Sequence, residues 1–383
     1  MNSKIRVCHI CSYYDTALFH DIVSAQKPFS EPAVFFFKPE GAAKLYDLPD
    51  VDEVNCFTQA DRFFFFRKER KVYAAYRQLY GGRTFDLNYA HSLFANGYIA
   101  YKARQERGIP YIVMVQNTDL NLFFKYRLHL RGTGVKIALN AERVVFASES
   151  YRDRFLSRYV PERYRQAVAH KAVVIPYSIA DLFYADPAPA KPLPEKTWKA
   201  LCVGLICANK NQMALCKAVE KLREEGTDLR LTVIGKVRDQ RLADELARRP
   251  FVRVEPFVPK EALKEKYRSH DLFALASRTE TFGLVYAEAL SQGLPILYSK
   301  GEGFDGQFEE GFVGYGADPK DVDDIAAGLR RIIAEYPALA ENAVPAADRF
   351  RTARIAETYR DLYVETLGKA GPSVNELAPE GDR

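Results

Sequence analysis

In the segment Arg278-Thr-Glu280-Thr-Phe-Gly283-Leu-Val-Tyr-Ala-Glu288-Ala-Leu-Ser-Gln-Gly293-Leu-Pro, two carboxylates are separated by seven residues. One would stand in a loop and the other about two turns along the helix that follows, so both could project into one site and accept hydrogen bonds from paired hydroxyl groups. Spacing alone is weak evidence, because 27 glutamates in 383 residues give about two such pairs by chance, and Glu302 with Glu310 and Glu357 with Glu365 repeat it. Context separates them. Only the first pair follows a strand-like run, encloses Phe282-Gly283 and leads through Gly293-Leu-Pro into another strand-like run. A second feature is Lys210, placed just before a helix expected from Asn211, with Gly204 upstream allowing close backbone approach. There a fixed positive charge and a helix N-terminus would meet at one anion, the arrangement that stabilises negative charge growing on a departing group.

Such groups need rigid elements to hold them. Short β-branched or aromatic runs alternate with helix-length amphipathic stretches, which is the pattern of parallel sheets covered by helices. The first series places strands over residues 5–12, 33–38, 85–91, 110–117, 143–148 and 172–178, with a helix from Asn96 to Arg107. A second series places strands over 199–205, 229–235, 252–258, 272–277 and 295–299, with helices Asn211 to Glu225, Asp239 to Arg248, Gly283 to Gln292 and Asp321 to Tyr336. Between them, Pro187, Pro189, Pro192 and Pro194 mark a linker. The expected class is α/β, with two Rossmann-like doubly wound domains facing across a cleft. The expected bounds are residues 1–184, a linker over 185–197, residues 198–345, a helical segment over 346–370 packing back on the first domain, and a flexible tail over 371–383.

Composition narrows the class further. A hydrophobic content of 48% with 27% charged residues is that of a folded globular chain, not a disordered or fibrous one. No signal-like block and no run of about 18 apolar residues is present, so a cytoplasmic location is expected. Cys8 and Cys11 form a C-x-x-C without a second pair, which argues for strand residues in a reducing compartment and against zinc. Residues 1–197 carry 28 Lys and Arg against 20 Asp and Glu, a net +8, whereas the remainder carries 27 against 30, a net −3. No nucleic-acid-binding motif accompanies the positive half, so nucleic acid is not expected as a partner. Within it, residues 62–83 interleave seven basic residues with Phe63 to Phe66 and three tyrosines. That composition suits an anionic membrane surface, although a domain helix with its aromatic side buried explains it more readily.

At the glutamate segment the sequence resembles the retaining family 4 glycosyltransferases (glycosyl transferases group 1), which have the GT-B fold. The resemblance extends over most of the chain, through His91, Pro110-Tyr-Ile-Val, Asn117-Thr-Asp119, Ser148-Glu149-Ser150, Ile175-Pro176, Val203-Gly204 and Lys210-Asn-Gln. It implies that Glu288 binds the ribose of a nucleotide sugar, Glu280 the donor sugar hydroxyls, and Lys210 the diphosphate. Gly204, Phe282, Gly283 and Leu284 would complete the nucleotide-sugar site, and His91 would stand beside the donor sugar, so Lys210, Glu280 and His91 are the catalytic candidates. It also implies a hexosyl transfer to a glycan or polyprenyl-linked acceptor in bacterial surface polysaccharide synthesis, peripheral on the inner membrane face, with no metal or other cofactor. Two positions depart from the family pattern. Leu205 stands where an arginine is common, and Cys11-Ser-Tyr-Tyr-Asp15-Thr replaces a glycine-rich loop. A sugar-nucleotide epimerase of the same fold, or a non-catalytic partner subunit, are the rival readings. Residues 303–305 form either a loop over the donor or a turn.

Overall fold

The computed structural model describes residues 4–368, so the expected tail over 371–383 lies outside the described residues. Two compact units are present: residues 4–146, 155–173 and 356–368 in one, and 147–154 with 174–355 in the other.

Seven strands form the sheet of the first unit: β1 (Ile5–Ile10), β2 (Ser30–Pro39), β3 (Val51–Phe57), β4 (Leu87–Ala90), β5 (Tyr111–Val115), β6 (Arg143–Phe146) and β7 (Ala172–Val174). Their order is β3-β2-β1-β4-β5-β6-β7, and β1 pairs in parallel with both β2 and β4. A parallel sheet needs cover on both faces, and every residue of β4 and β5 is buried. The intervening helices are α1 (Ala17–Ala25), α2 (Phe65–Tyr80), α3 (Ala95–Arg107), α4 (Arg131–Asn140), α5 (Glu149–Arg158), of which only residues 155–158 belong to this unit, and α6 (Glu162–Ala169). On α2, Phe65, Glu69, Val72, Tyr73, Tyr76 and Tyr80 are buried at helical spacing, so most of the 62–83 stretch is a domain helix with its aromatic side inward. Cys8 and Cys11 are buried free thiols.

The second unit holds β8 (Trp198–Val203), β9 (Leu229–Ile234), β10 (Val252–Glu255), β11 (Leu272–Ala274), β12 (Ile296–Ser299) and β13 (Gly314–Ala317), in the order β10-β9-β8-β11-β12-β13. Its helices are α7 (Gln212–Glu224), α8 (Gln240–Ala247), α9 (Lys260–Arg268), α10 (Leu284–Ser291), α11 (Val322–Ala334) and α12 (Tyr336–Ala347). The strand order reverses between β8 and β11, and in such sheets ligands bind beyond the carboxyl ends at that reversal. The loops leaving β8 and β11 are the ones that carry Lys210 and Glu280.

The proline-rich stretch docks on the second unit: Lys191 donates to the carbonyls of Tyr267, Arg268 and His270 at 3.1, 2.7 and 2.7 Å, capping the C-terminus of α9. Residues 174–184 also pack there, where Ile179 bridges Arg351 and the Tyr184 hydroxyl donates to the Ala347 carbonyl at 2.7 Å. The last helix, α13 (Thr352–Gly368), joins the first unit from Ala356 onward. There the hydroxyls of Tyr359 and Tyr89 lie 3.0 Å apart, and Tyr363 donates to Gln26 at 2.9 Å. Among the described residues, no helix is long and apolar enough to cross a membrane.

Candidate functional site

Two loops of the second unit are stitched together at the reversal point. The Asn209 side chain donates to the Thr279 carbonyl at 3.0 Å, and the Arg278 N–H donates to the Asn209 carbonyl at 2.8 Å. Asn211 takes the left-handed conformation, φ 59°, at the start of α7, and its buried amide donates to the carbonyls of Ala276 and Pro319 at 3.0 and 2.6 Å. These bonds fix Lys210 opposite Glu280, and the two form an ion pair. Beneath them Gly204 ends β8, with the Lys210 side chain lying where a Cβ would point.

The carboxylate loop is shaped by two glycines. Gly283 precedes α10 at φ +82°, and a Cβ there would come within 2.5 Å of the Tyr286 ring. Gly303 is pressed against the backbone of the same loop; its Cβ would lie 2.1 Å from the Thr281 carbonyl. Its N–H donates to the Glu280 carbonyl at 2.7 Å, while the Glu280 N–H donates to the Glu302 carboxylate at 2.9 Å. Glu302 is itself held by Arg154 at 2.6 Å. Asp305 accepts the Gly301 N–H at 2.6 Å, so its carboxylate closes a turn. The first N–H groups of α10, at Leu284 and Val285, have no partner within the helix and face an anion favourably.

Glu288 sits one side of α10 and is 6% exposed. It accepts the Tyr267 hydroxyl at 3.0 Å, and burial raises its pKa from the ordinary value against the opposing pull of that hydrogen bond. A buried carboxylate with one neutral donor retains capacity for further donors, such as hydroxyl groups. The structure thus brings Gly204, Lys210, Glu280, Gly283, Leu284 and Glu288 onto adjoining loops and one helix.

Phe282 and His91 are placed otherwise. The Phe282 side chain is 1% exposed and packs against Tyr177, Phe304 and Phe350, which makes it a core anchor of the loop; only its backbone can face a ligand. His91, in the first unit, is 3% exposed, with Nε2 3.2 Å from Nδ1 of His9 and its ring edge-on to Phe19. Burial and the neighbouring His9 hold its pKa well below 6.5, so it is a neutral core group. Glu302 and Arg154 were missed by sequence reasoning. The Gly303 beside Glu302 was the available signal, since it marks a close backbone approach but not the partner. No group of three or more His, Cys, Asp or Glu suited to a metal ion occurs among the described residues.

Comparison with known proteins follows this geometry. Residues 187–350 match the family described as glycosyl transferases group 1. D-inositol 3-phosphate glycosyltransferase of Corynebacterium kroppenstedtii is 28% identical over 260 residues, 62% of this chain and 56% of that protein. A GDP-mannose-dependent alpha-(1-6)-phosphatidylinositol monomannoside mannosyltransferase of Mycolicibacterium smegmatis is 28% identical over 216 residues, 52% and 55% of the two chains. The matched stretch therefore spans about half the length of these relatives. In three dimensions the lipopolysaccharide outer core galactosyltransferase WaaB aligns with TM-score 0.74 at 17% identity, covering 94% of this chain and 99% of that one. Sucrose-phosphate synthase of Thermosynechococcus elongatus aligns with TM-score 0.73 at 17% identity, covering 95% and 100%. The fold is accordingly that of the GT-B glycosyltransferases, and the part of the chain that is similar to the glycosyl transferases group 1 family, residues 187–350, holds Gly204, Lys210, Glu280 and Glu288.

Proposed function

We propose that the protein is a retaining glycosyltransferase that moves a sugar from a nucleotide-sugar donor to a glycan or lipid-linked acceptor. The observation that carries this reading is the stitched pair of loops that sets Lys210 against Glu280 at the strand reversal, beside the N-terminus of α10 and the buried carboxylate of Glu288. Glu288 accepts hydrogen bonds from the ribose hydroxyls. Glu280 accepts from the donor sugar and shares Lys210 with the diphosphate. As the bond from the anomeric carbon to the phosphate oxygen breaks, charge builds on that oxygen, and Lys210 with the N–H groups of Leu284 and Val285 stabilises it. The acceptor hydroxyl attacks on the same face, forming the new carbon–oxygen bond while its proton passes to the leaving phosphate oxygen. In this reading the diphosphate's charge is met by protein groups rather than by a metal.

The acceptor is assigned to the first unit, and the setting to bacterial surface polysaccharide synthesis on the cytoplasmic face of the membrane. Support comes from a relative and a structural neighbour whose names include phosphatidylinositol monomannoside and lipopolysaccharide outer core. Leu205, 44% exposed, supports a second reading in which donor binding persists without turnover. A thermal-shift panel of nucleoside diphosphates, followed by product analysis with the donor that binds, distinguishes them. Transfer with the anomeric configuration kept supports the proposal; inversion, epimerised donor or binding without product overturns it.

A further inference from the structure

We propose that the first unit docks on an anionic lipid bilayer through one surface made from two segments distant in sequence, residues 62–70 and 122–131. This inference rests on that surface alone; the proposed function supplies only its purpose, which is to bring the unit to an acceptor carried on a lipid.

The two segments are joined. The Arg127 guanidinium reaches the Phe63 carbonyl at 3.5 Å, and the rings of Phe65 and Phe123 meet edge to face with centroids 5.9 Å apart. From this shared base Phe63, Phe64, Phe66, Leu122, Tyr126 and Leu128 turn outward, with Phe63 75%, Tyr126 66% and Leu128 61% exposed. Scattered exposed apolar residues need no explanation, but six large ones on two adjoining segments form a patch of the kind that marks an interaction site.

Charge selects the occupant. Arg62, Arg70, Lys125 and Arg131 are exposed around these rings. Glu69, the one carboxylate within the two segments, is withdrawn, as are Asp61 and Asp119 just before them: all three are at most 1% exposed. The surface therefore presents cations and apolar rings with no exposed acid, the composition that inserts at a headgroup boundary and attracts anionic lipid. It ends where α2 turns its Val72, Tyr73, Tyr76 and Tyr80 into the core, and where Lys71 and Lys68 are committed to Asp61 and Glu69. At its other margin stands Tyr13, 41% exposed in the loop after β1 and within electrostatic reach of Arg62. The surface thus runs to the carboxyl edge of the first sheet, where a ligand of this unit would enter.

Sedimentation of the full chain with phosphatidylglycerol-containing and pure phosphatidylcholine vesicles tests the proposal. The wild type is expected in the pellet only with the anionic vesicles, and to leave it at high salt. Two variants avoid the cations that hold buried carboxylates. Arg62→Gln with Arg70→Gln and Lys125→Gln is expected to lower the partition coefficient about a hundredfold, at about fivefold per charge. Phe63→Ser with Phe64→Ser and Leu128→Ser is expected to abolish binding at any salt, and both variants are expected to keep wild-type nucleoside diphosphate affinity. Wild type remaining in the supernatant at low salt, or pelleting equally in both variants, overturns the proposal. So does a concentration-dependent dimer, or RNA binding without vesicle binding, lost in the same variants.

Discussion

Glu288 combines two demands that oppose each other. Its burial disfavours the ionised form, yet the ribose binding proposed for it draws on that form. With the folded pKa above the unfolded one, the native state binds more protons between the two values, so ionising Glu288 costs stability as pH rises through that window. Glu288→Gln is therefore expected to raise the melting temperature of the ligand-free protein at neutral pH while weakening nucleoside diphosphate binding by about 1.5–3 kcal/mol. Calorimetry across pH completes the check: wild-type affinity falls on acidification at a pH above that of an ordinary glutamate, and the glutamine variant lacks this step. Lys210 differs, because in the proposed reaction the charge it faces grows as the donor bond breaks. Lys210→Ala is expected to cut turnover at least about a hundredfold, and donor affinity less; near-normal turnover would falsify its role. In the sequence Lys210 stands out as a charge just before a helix, and Glu288 through the segment it shares with Glu280, Phe282 and Gly283. The burial of Phe282 and His91 was not legible, since sequence does not distinguish an aromatic ring on an open loop from one that fills a core. His91 follows β4 directly, and a neighbour from the adjacent strand, His9, closes over it.

At the scale of elements, the site depends on one loop pressed against another. Gly303 touches the Thr281 carbonyl so closely that any Cβ requires backbone movement. Gly303→Ala is expected to displace Glu280, lower donor affinity at least about tenfold and destabilise the fold by about 1–3 kcal/mol, as overpacking does; calorimetry and thermal melts read both. Glu302 separates position from charge. Glu302→Gln keeps an acceptor for the Glu280 N–H but loses the pairing with Arg154, whereas Glu302→Ala loses both. Turnover is expected to decline in that order, and equal turnover in the two variants would remove Glu302 from the support of the loop. Most strands were readable as apolar runs because parallel strands are buried on both faces. Two were not. The β3 sequence Val-Asp-Glu-Val-Asn-Cys-Phe is half polar because it lies at the sheet edge, and β13, Gly-Tyr-Gly-Ala, contains no β-branched residue. In β13 the backbone takes the place of side chains: a Cβ at Gly314 would overlap the Ile296 carbonyl.

The whole molecule is not cut at one point along the chain; the return of a C-terminal helix to the first unit was expected from the sequence, whereas the transfer of residues 147–154 to the second unit was not, because contacts between distant segments leave no local pattern. Residues 147–154 leave the first unit to bring Ser150 and Arg154 to the Glu302 loop, and α13 returns to complete the first. In that return Tyr359, Leu362, Tyr363 and Thr366 become buried, with Tyr363 fully so. Fully burying a large apolar side chain stabilises by about 1.5–3 kcal/mol, so the three largest contribute several kcal/mol, a sizeable fraction of what holds a domain together. Ending the chain at Ile355 would leave Tyr89 and Gln26 without their hydroxyl partners and expose the face that α13 covers. The truncated protein is expected to unfold in two separate thermal steps, the first unit melting at least about 10 °C below the intact protein. Nucleoside diphosphate is expected to raise only the upper step, because Lys210, Glu280 and Glu288 all lie in the unit that α13 does not complete. A single transition at the wild-type temperature would mean that α13 adds little to the first unit. Loss of nucleotide binding with the second unit still folded would mean that the donor site draws on residues outside it.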